Sequence, residues 1–186
     1  MVLLLTVVGL FLSLVISAPI PVPSQPTSPI FSMIAFHDGA QFRYNLVYFD
    51  GVDLKLRSDT NAFFGRINGA ENWALNMPIS STENEQPVNI NVVVDEDGKL
   101  TSTNNTDVEA SSGFAITNSL LTFENSSSFV ACSDEGYLGE YGIYIADANE
   151  TSECSCPNNI TGYEIVLKVQ LDSTVNYNPQ SNPILI

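Results

Sequence analysis

Short runs of alternating apolar and polar residues fill most of the chain after residue 30. Residues 52–57 alternate strictly, residues 88–94 carry valine or isoleucine at every second position, and residues 163–171 form the longest such run. Alternation with a period of two is typical of a half-buried β-strand. Runs rich in aromatic and β-branched residues predict further strands at 30–36, 42–49, 120–123, 129–132 and 141–145.

Turn-forming residues separate these runs. Gly, Asp or Asn stand in the connections at 37–40, 50–51 and 95–98, and no helical period of comparable length is present. We therefore predict one compact all-β domain over residues 30–171. Its strands, about ten or more and all short, are expected to form a β-trefoil-like barrel or a β-sandwich.

The two ends of the chain have a different character. Residues 1–18 are almost wholly apolar and end in Ser17-Ala18, which is the layout of a secretory signal peptide although basic residues are missing. A membrane-spanning helix needs about 20 apolar residues, and the prolines that follow Ala18 end this run too early. Residues 19–29 read as a Pro-rich extended lead-in and residues 172–186 as a flexible tail. We expect a secreted protein without a stable membrane anchor.

Charge narrows the possible partners. The chain has 21 acidic and 6 basic residues, and the basic ones are scattered. Nucleic acids require clustered Lys and Arg, so we expect no nucleic-acid partner. Four Asn-x-Ser/Thr sequons fit a secreted glycoprotein, with glycosylation expected at Asn104, Asn125, Asn149 and Asn159.

Three cysteines, Cys132, Cys154 and Cys156, leave one thiol over in any single disulfide. Cys132 can pair with Cys154 or with Cys156, and either bond closes a loop worth about 3 kcal/mol in the chain-entropy model. A metal site requires a fourth ligand at a characteristic spacing, and the one histidine, His37, lies far away in sequence. We expect no metal and no cofactor.

The sequence contains no recognisable catalytic motif. His37-Asp38 lies in a turn without a Gly-x-Ser-x-Gly nucleophile elbow. A glycosidase needs two carboxylates at a set separation, but the composition favours no particular pair. Exposed aromatic rings are the alternative signal for a sugar-binding surface, and Trp73, Tyr137 and Tyr141 are the candidate glycan platform.

Two pairs of segments carry a resemblance to a known family. Residues 31–42 leading into 52–56, and residues 121–132 followed by 141–146 and a late cysteine, resemble secreted fungal cell-wall proteins of the PhiA type. The resemblance covers about a third of the chain. It implies a non-enzymatic, wall-associated secreted protein of fungal origin, in which Cys132 is the first cysteine of the pair and Cys154 or Cys156 its partner.

These observations predict a secreted, N-glycosylated fungal cell-wall protein with a structural or weak polysaccharide-binding role. Its expected partners are cell-wall polysaccharide or wall glycoproteins. A secreted glycan hydrolase with an unrecognised carboxylate pair is one alternative. A trefoil-type lectin or inhibitor that acts through exposed loops such as residues 76–85 is the other.

Overall fold

A computed structural model describes residues 27–37, 44–79, 88–103, 105, 107–134, 139–146, 156–157 and 160–171. The predicted signal peptide, most of the lead-in and the predicted tail lie outside the described residues. So do Tyr137, Cys154, Asn104, Asn149 and Asn159. Within the described ranges, no helix is long and apolar enough to cross a membrane.

The described residues form thirteen β-strands and one short 3-10 helix, Gly69–Glu71. In chain order the strands are β1 (Ser32–Phe36), β2 (Asn45–Phe49), β3 (Leu54–Leu56), β4 (Asn61–Ala62), β5 (Arg66–Asn68), β6 (Ala74–Ile79), β7 (Val88–Val94), β8 (Leu100–Thr103), β9 (Phe114–Thr117), β10 (Leu120–Phe123), β11 (Phe129–Ser133), β12 (Tyr141–Ile145) and β13 (Tyr163–Gln170).

Six of these strands close into a barrel. Around the ring the order is β1-β2-β3-β12-β11-β13, and every pair is antiparallel. The ring closes where β13 pairs with the whole length of β1. Closure pairs both edges of each barrel strand, at least in part, and so removes the exposed edges of an open sheet.

Apolar side chains fill the barrel. Because successive side chains of a strand point to opposite faces, every second residue faces inward, and ten of these residues are at most 1% exposed. They are Met33, Ala35, Val47, Leu54, Leu56, Phe129, Ala131, Ile143, Ile165 and Leu167. A barrel this narrow holds a packed core in place of a channel.

The remaining strands extend this core. The β9–β10 hairpin joins the barrel at β13, and β4 pairs with β2. Strands β5 to β8 form a separate four-stranded sheet whose apolar face shares one hydrophobic cluster with the barrel interior. Residues from that sheet in the shared cluster include Ile67, Leu75, Met77, Val92 and Leu100.

The all-β prediction is confirmed, and each predicted run contains a strand. The architecture combines a closed barrel with a second sheet, and the strand order around the ring shows no threefold repeat. Contacts with the domain already occur within the predicted lead-in, because Ser28 donates its amide to the Ile67 carbonyl of β5 and is 4% exposed. Residues 76–79 of the loop proposed for an inhibitor belong instead to β6.

Strand β3 departs from its pattern in a way that matters for function. Strict alternation predicts that Leu54 and Leu56 are buried and that Lys55 faces solvent. Lys55 does lie on the outer face of the barrel, but it is only 5% exposed. Neighbouring carboxylates cover it, and they mark the candidate site.

Candidate functional site

Four outward-facing residues lie in one row across the barrel wall. Tyr48 of β2 is opposite Lys55 of β3, Lys55 is opposite Gly142 of β12, and Gly142 is opposite Cys132 of β11. Their chain neighbours fill the barrel interior, so the alternation of each strand places all four outside. Gly142 places no side chain between Lys55 and Cys132, and Lys99 and Tyr144 lie close over it.

Lys55 is surrounded by three carboxylates, and we call these four residues the Lys55 cluster. Its Nζ lies 2.9 Å from Asp50 Oδ2, 3.0 Å from Asp134 Oδ2 and 3.3 Å from Glu140 Oε2. Asp50 directly follows β2. Asp134 follows β11 and Glu140 precedes β12, and the two are joined by a hydrogen bond from the Asp134 amide to the Glu140 carbonyl. The strand pairing therefore brings three anions to one cation.

The environment keeps both charges of the Asp50–Lys55 pair. Burial acts to raise the pKa of Asp50, but the amides of Asp53 and Val52 and the Lys55 ammonium outweigh it and hold that pKa below 3.8. Burial acts to lower the pKa of Lys55, and the three carboxylates raise it well above its ordinary value. Asp50 and Lys55 are therefore both charged at neutral pH.

A second ion pair lies beside Gly142. Lys99 is the last residue of the β7–β8 turn. In this turn Asp95 Oδ1 accepts hydrogen bonds from the backbone amides of Asp97 and Lys99, at 3.0 and 2.8 Å. The turn docks on β12 because the Ile145 amide donates to the Gly98 carbonyl at 2.8 Å. Lys99 thereby reaches Asp53, to which its Nζ donates. Burial tends to lower the Lys99 pKa, but Asp53 reverses this and raises it.

A disulfide closes the opposite side. Cys132 is bonded to Cys156, which confirms one of the two pairings left open by the sequence. The bond holds Cys156, Pro157 and Ile160, which we call the arm, against the outer face of β11. Val130, Cys132 and Cys156 are all at most 5% exposed in a second, small hydrophobic cluster, with Tyr144 and Ile160 packed against it.

A pocket of about 220 Å³ lies between the arm and the β7–β8 turn. Its lining consists of Lys99, Cys132, Ser133, Asp134, Gly142, Tyr144, Cys156, Pro157 and Ile160. A Cβ added to Gly142 would come within 3.1 Å of Lys99 Cε and of Tyr144 Cε2. The missing side chain therefore lets both residues close over the barrel wall beside the pocket.

The lining combines apolar and hydrogen-bonding surfaces. Tyr144, Pro157, Ile160 and the disulfide supply the apolar part, and Ser133, Asp134 and Lys99 supply donors and acceptors. Burial raises the pKa of the Tyr144 hydroxyl, with Lys99 opposing it, so the phenol is neutral at physiological pH. Counted with its neighbours, the site holds four carboxylates and two ammonium groups, a formal charge of −2.

This chemistry suits binding by hydrogen bonds better than proton transfer. A carboxyl group can act as a general acid near neutral pH only when its pKa is raised toward the working pH. The pKa of Asp50 is shifted in the opposite direction, and Lys55 is paired with Asp50, Asp134 and Glu140 at once.

Of the predicted glycan platform, the structure describes Trp73 and Tyr141, while Tyr137 lies outside the described residues. Trp73 is 8% exposed and belongs to the main core, unlike the exposed ring that was expected. Both Asn72 and Trp73 have left-handed backbones, at φ 54° and 62°, and this bend after the 3-10 helix precedes the entry of the ring into the core. Tyr141 is half-buried, 6.1 Å from the Tyr163 ring in an edge-on contact.

Asn125 is the sequon asparagine that the structure describes. It is exposed in the turn between β10 and β11, with φ 68°. His37 is the single histidine of the chain. Its Nδ1 is hydrogen-bonded to the Glu164 backbone carbonyl, and its ring packs edge-on against Tyr163. It lies outside the set of residues that line the pocket.

Sequence reasoning missed Lys55, Lys99, Gly142 and Tyr144 as site residues. One usable signal is the scarcity of basic residues, with 6 against 21 acidic ones. A lysine between two leucines in such a chain is a candidate for a buried ion pair, but local sequence does not identify its partners.

Among the described residues, no group of three or more His, Cys, Asp or Glu side chains is placed to hold a metal ion. Comparison with known proteins matches the chain to no family model, no curated protein and no solved structure. The resemblance to PhiA-type proteins stays a prediction.

The Asp50 pKa gives a testable pH dependence. A carboxyl whose pKa is lower in the folded state contributes stability above its unfolded pKa, and this is lost as pH falls through the folded value. We expect the free energy of unfolding to drop as pH falls below 3.8, the ordinary value for Asp50. Asp50→Asn keeps an oxygen for the two amides but removes the charge, so its denaturant midpoint should fall less steeply with acid. Parallel curves for the two proteins would contradict this assignment.

Proposed function

We propose that this is a secreted, N-glycosylated, wall-associated protein of a fungus that binds neutral polysaccharide without turning it over. The pocket beside Gly142 is the observation that carries the proposal. Binding sites for small ligands combine apolar and aromatic surface with a few placed polar groups. Here Tyr144 and the arm offer the apolar surface, and Ser133, Asp134 and Lys99 offer the polar groups.

A saccharide has the matching chemistry. One face of a sugar ring presents C–H groups that pack against an aromatic or aliphatic wall, while its hydroxyls both donate and accept hydrogen bonds. Asp134 accepts, Lys99 donates, and Ser133 does both. The formal charge of −2 around the pocket and of −15 over the chain disfavours acidic polysaccharides.

Two further features support an extracellular location. Disulfides persist in oxidising compartments and are rare in the cytosol, and the Cys132–Cys156 bond is an integral wall of the pocket. Asn125 lies exposed in the turn between β10 and β11, so its side chain is accessible for glycosylation.

Fractionation of a tagged protein produced in a fungal host tests the proposal. Culture medium, detergent-soluble wall and glucanase-released wall are assayed for wild type and for Ser133→Trp. We expect wild type in the wall fractions. Ser133 is exposed on the pocket rim, so an indole there should block the pocket at little cost to folding and move the protein into the medium.

Ser112→Trp is the matched control, because Ser112 is exposed and does not line the pocket. It should distribute like wild type. Wild type found in the medium alone would contradict wall association. Equal wall retention of all three proteins would leave the protein wall-associated but remove the pocket from its function.

A further inference from the structure

We infer that the pocket takes the terminal sugar unit of a glycan chain and not a unit in its interior. The inference rests on the proposed function and names the part of the polysaccharide that is recognised. It follows from the described residues that border the pocket across the strands and along them.

The pocket is small for a ligand site. Sites for drug-sized ligands typically enclose about 300–1,000 Å³, whereas this one encloses about 220 Å³. That volume suits a single ring and not two linked ones. Size alone leaves open whether a longer chain passes across the pocket.

In the part of the chain that the structure describes, the row of outward-facing residues offers no groove for such a chain. On the β3 side of Gly142, the Lys55 cluster fills the surface, with Lys55 5% exposed and bound to three carboxylates. On the β11 side, the arm covers Val130 and Cys132, each 3% exposed. A chain running across the strands is therefore stopped at both sides of the pocket.

The direction along the strands is also bounded. At one end Lys99 is bonded to Asp53, and the β7–β8 turn is fastened to β12 by the Ile145 amide. At the other end Asp134 is held by Lys55 and by its hydrogen bond to the Glu140 carbonyl. An interior sugar needs two opposite exits, one for each neighbour, while a terminal sugar needs a single exit toward solvent.

Calorimetric titration with chains of different length tests this inference. The first probes are the methyl glycosides of glucose, N-acetylglucosamine and mannose. Linear oligosaccharides of two and six units, built from the sugar that binds, follow. A terminal-unit site should give the same Kd per mole of chain for both lengths, with Ser133→Trp abolishing binding of both and Ser112→Trp leaving it unchanged.

An open groove would behave differently. At a site that accepts any unit, the number of registers makes a six-unit chain bind about threefold more tightly per chain than a two-unit chain, and about sixfold more tightly than a single sugar. The gain is larger where neighbouring units also touch the protein. That result would overturn the terminal-unit inference and leave sugar binding intact. Failure of every glycoside and oligosaccharide to bind would overturn sugar binding itself, and the inference with it.

Discussion

Lys55→Met is expected to lower the free energy of unfolding by about 3 kcal/mol, because removing one partner of a buried ion pair leaves the other charges uncompensated. The substitution leaves Asp50, Asp134 and Glu140 within one small volume without their cation. The carboxylates are 19–26% exposed, and this partial access to water places the cost at the lower end of the range for buried pairs. Guanidinium unfolding monitored by circular dichroism measures the loss.

Lys168→Met is the matched control, since Lys168 is exposed on β13. The same substitution there should change the free energy of unfolding by less than about 0.5 kcal/mol. Acid gives a second signature, because protonating the three carboxylates relieves their repulsion and should shrink the difference between Lys55→Met and wild type. A Lys55→Met protein as stable as wild type at neutral pH would show that the cluster does not hold β2, β3, β11 and β12 together.

Much of the fold could be predicted from local pattern, and β13 shows why. Its alternation sends Ile165, Leu167 and Val169 to one face, and the structure buries each of them to 4% exposure or less. Residues 60–79 gave no such signal, although they contain β4, β5 and β6. Those strands are short or interrupted by polar residues such as Asn76, which is fully buried and donates to Asn91 and Glu71.

The site could not be predicted in the same way, because its residues are distant in sequence. Lys55 meets Glu140 across 85 positions, and Lys99 meets Asp53 across 46. Strand order decides these meetings, and alternation carries no information about which strands become neighbours. Trp73 was predicted to be exposed, but it is buried for a related reason. Local sequence does not show that the second sheet and the barrel share the hydrophobic cluster that contains its ring.

The disulfide provides the second large expected effect. Cys132 and Cys156 are 24 positions apart, and a loop of this length corresponds to about 3 to 4 kcal/mol of stability in the chain-entropy model. Cys154→Ser/Cys156→Ser should lose that amount in guanidinium unfolding under non-reducing conditions. It should also lose the proposed sugar binding, because the disulfide no longer holds Pro157 and Ile160 at the pocket.

Single substitutions separate the two possible pairings. Cys154→Ser should unfold like wild type, and non-reducing peptide mapping should link residues 132 and 156 in both. Cys156→Ser leaves Cys132 able to bond Cys154, which would restore most of the loop-closure term. That bond would still shift the arm by two positions, so stability should recover while binding does not. The reverse pattern, with Cys154→Ser destabilised and Cys156→Ser unaffected, would show that Cys132 pairs with Cys154 and that the pocket has a different wall.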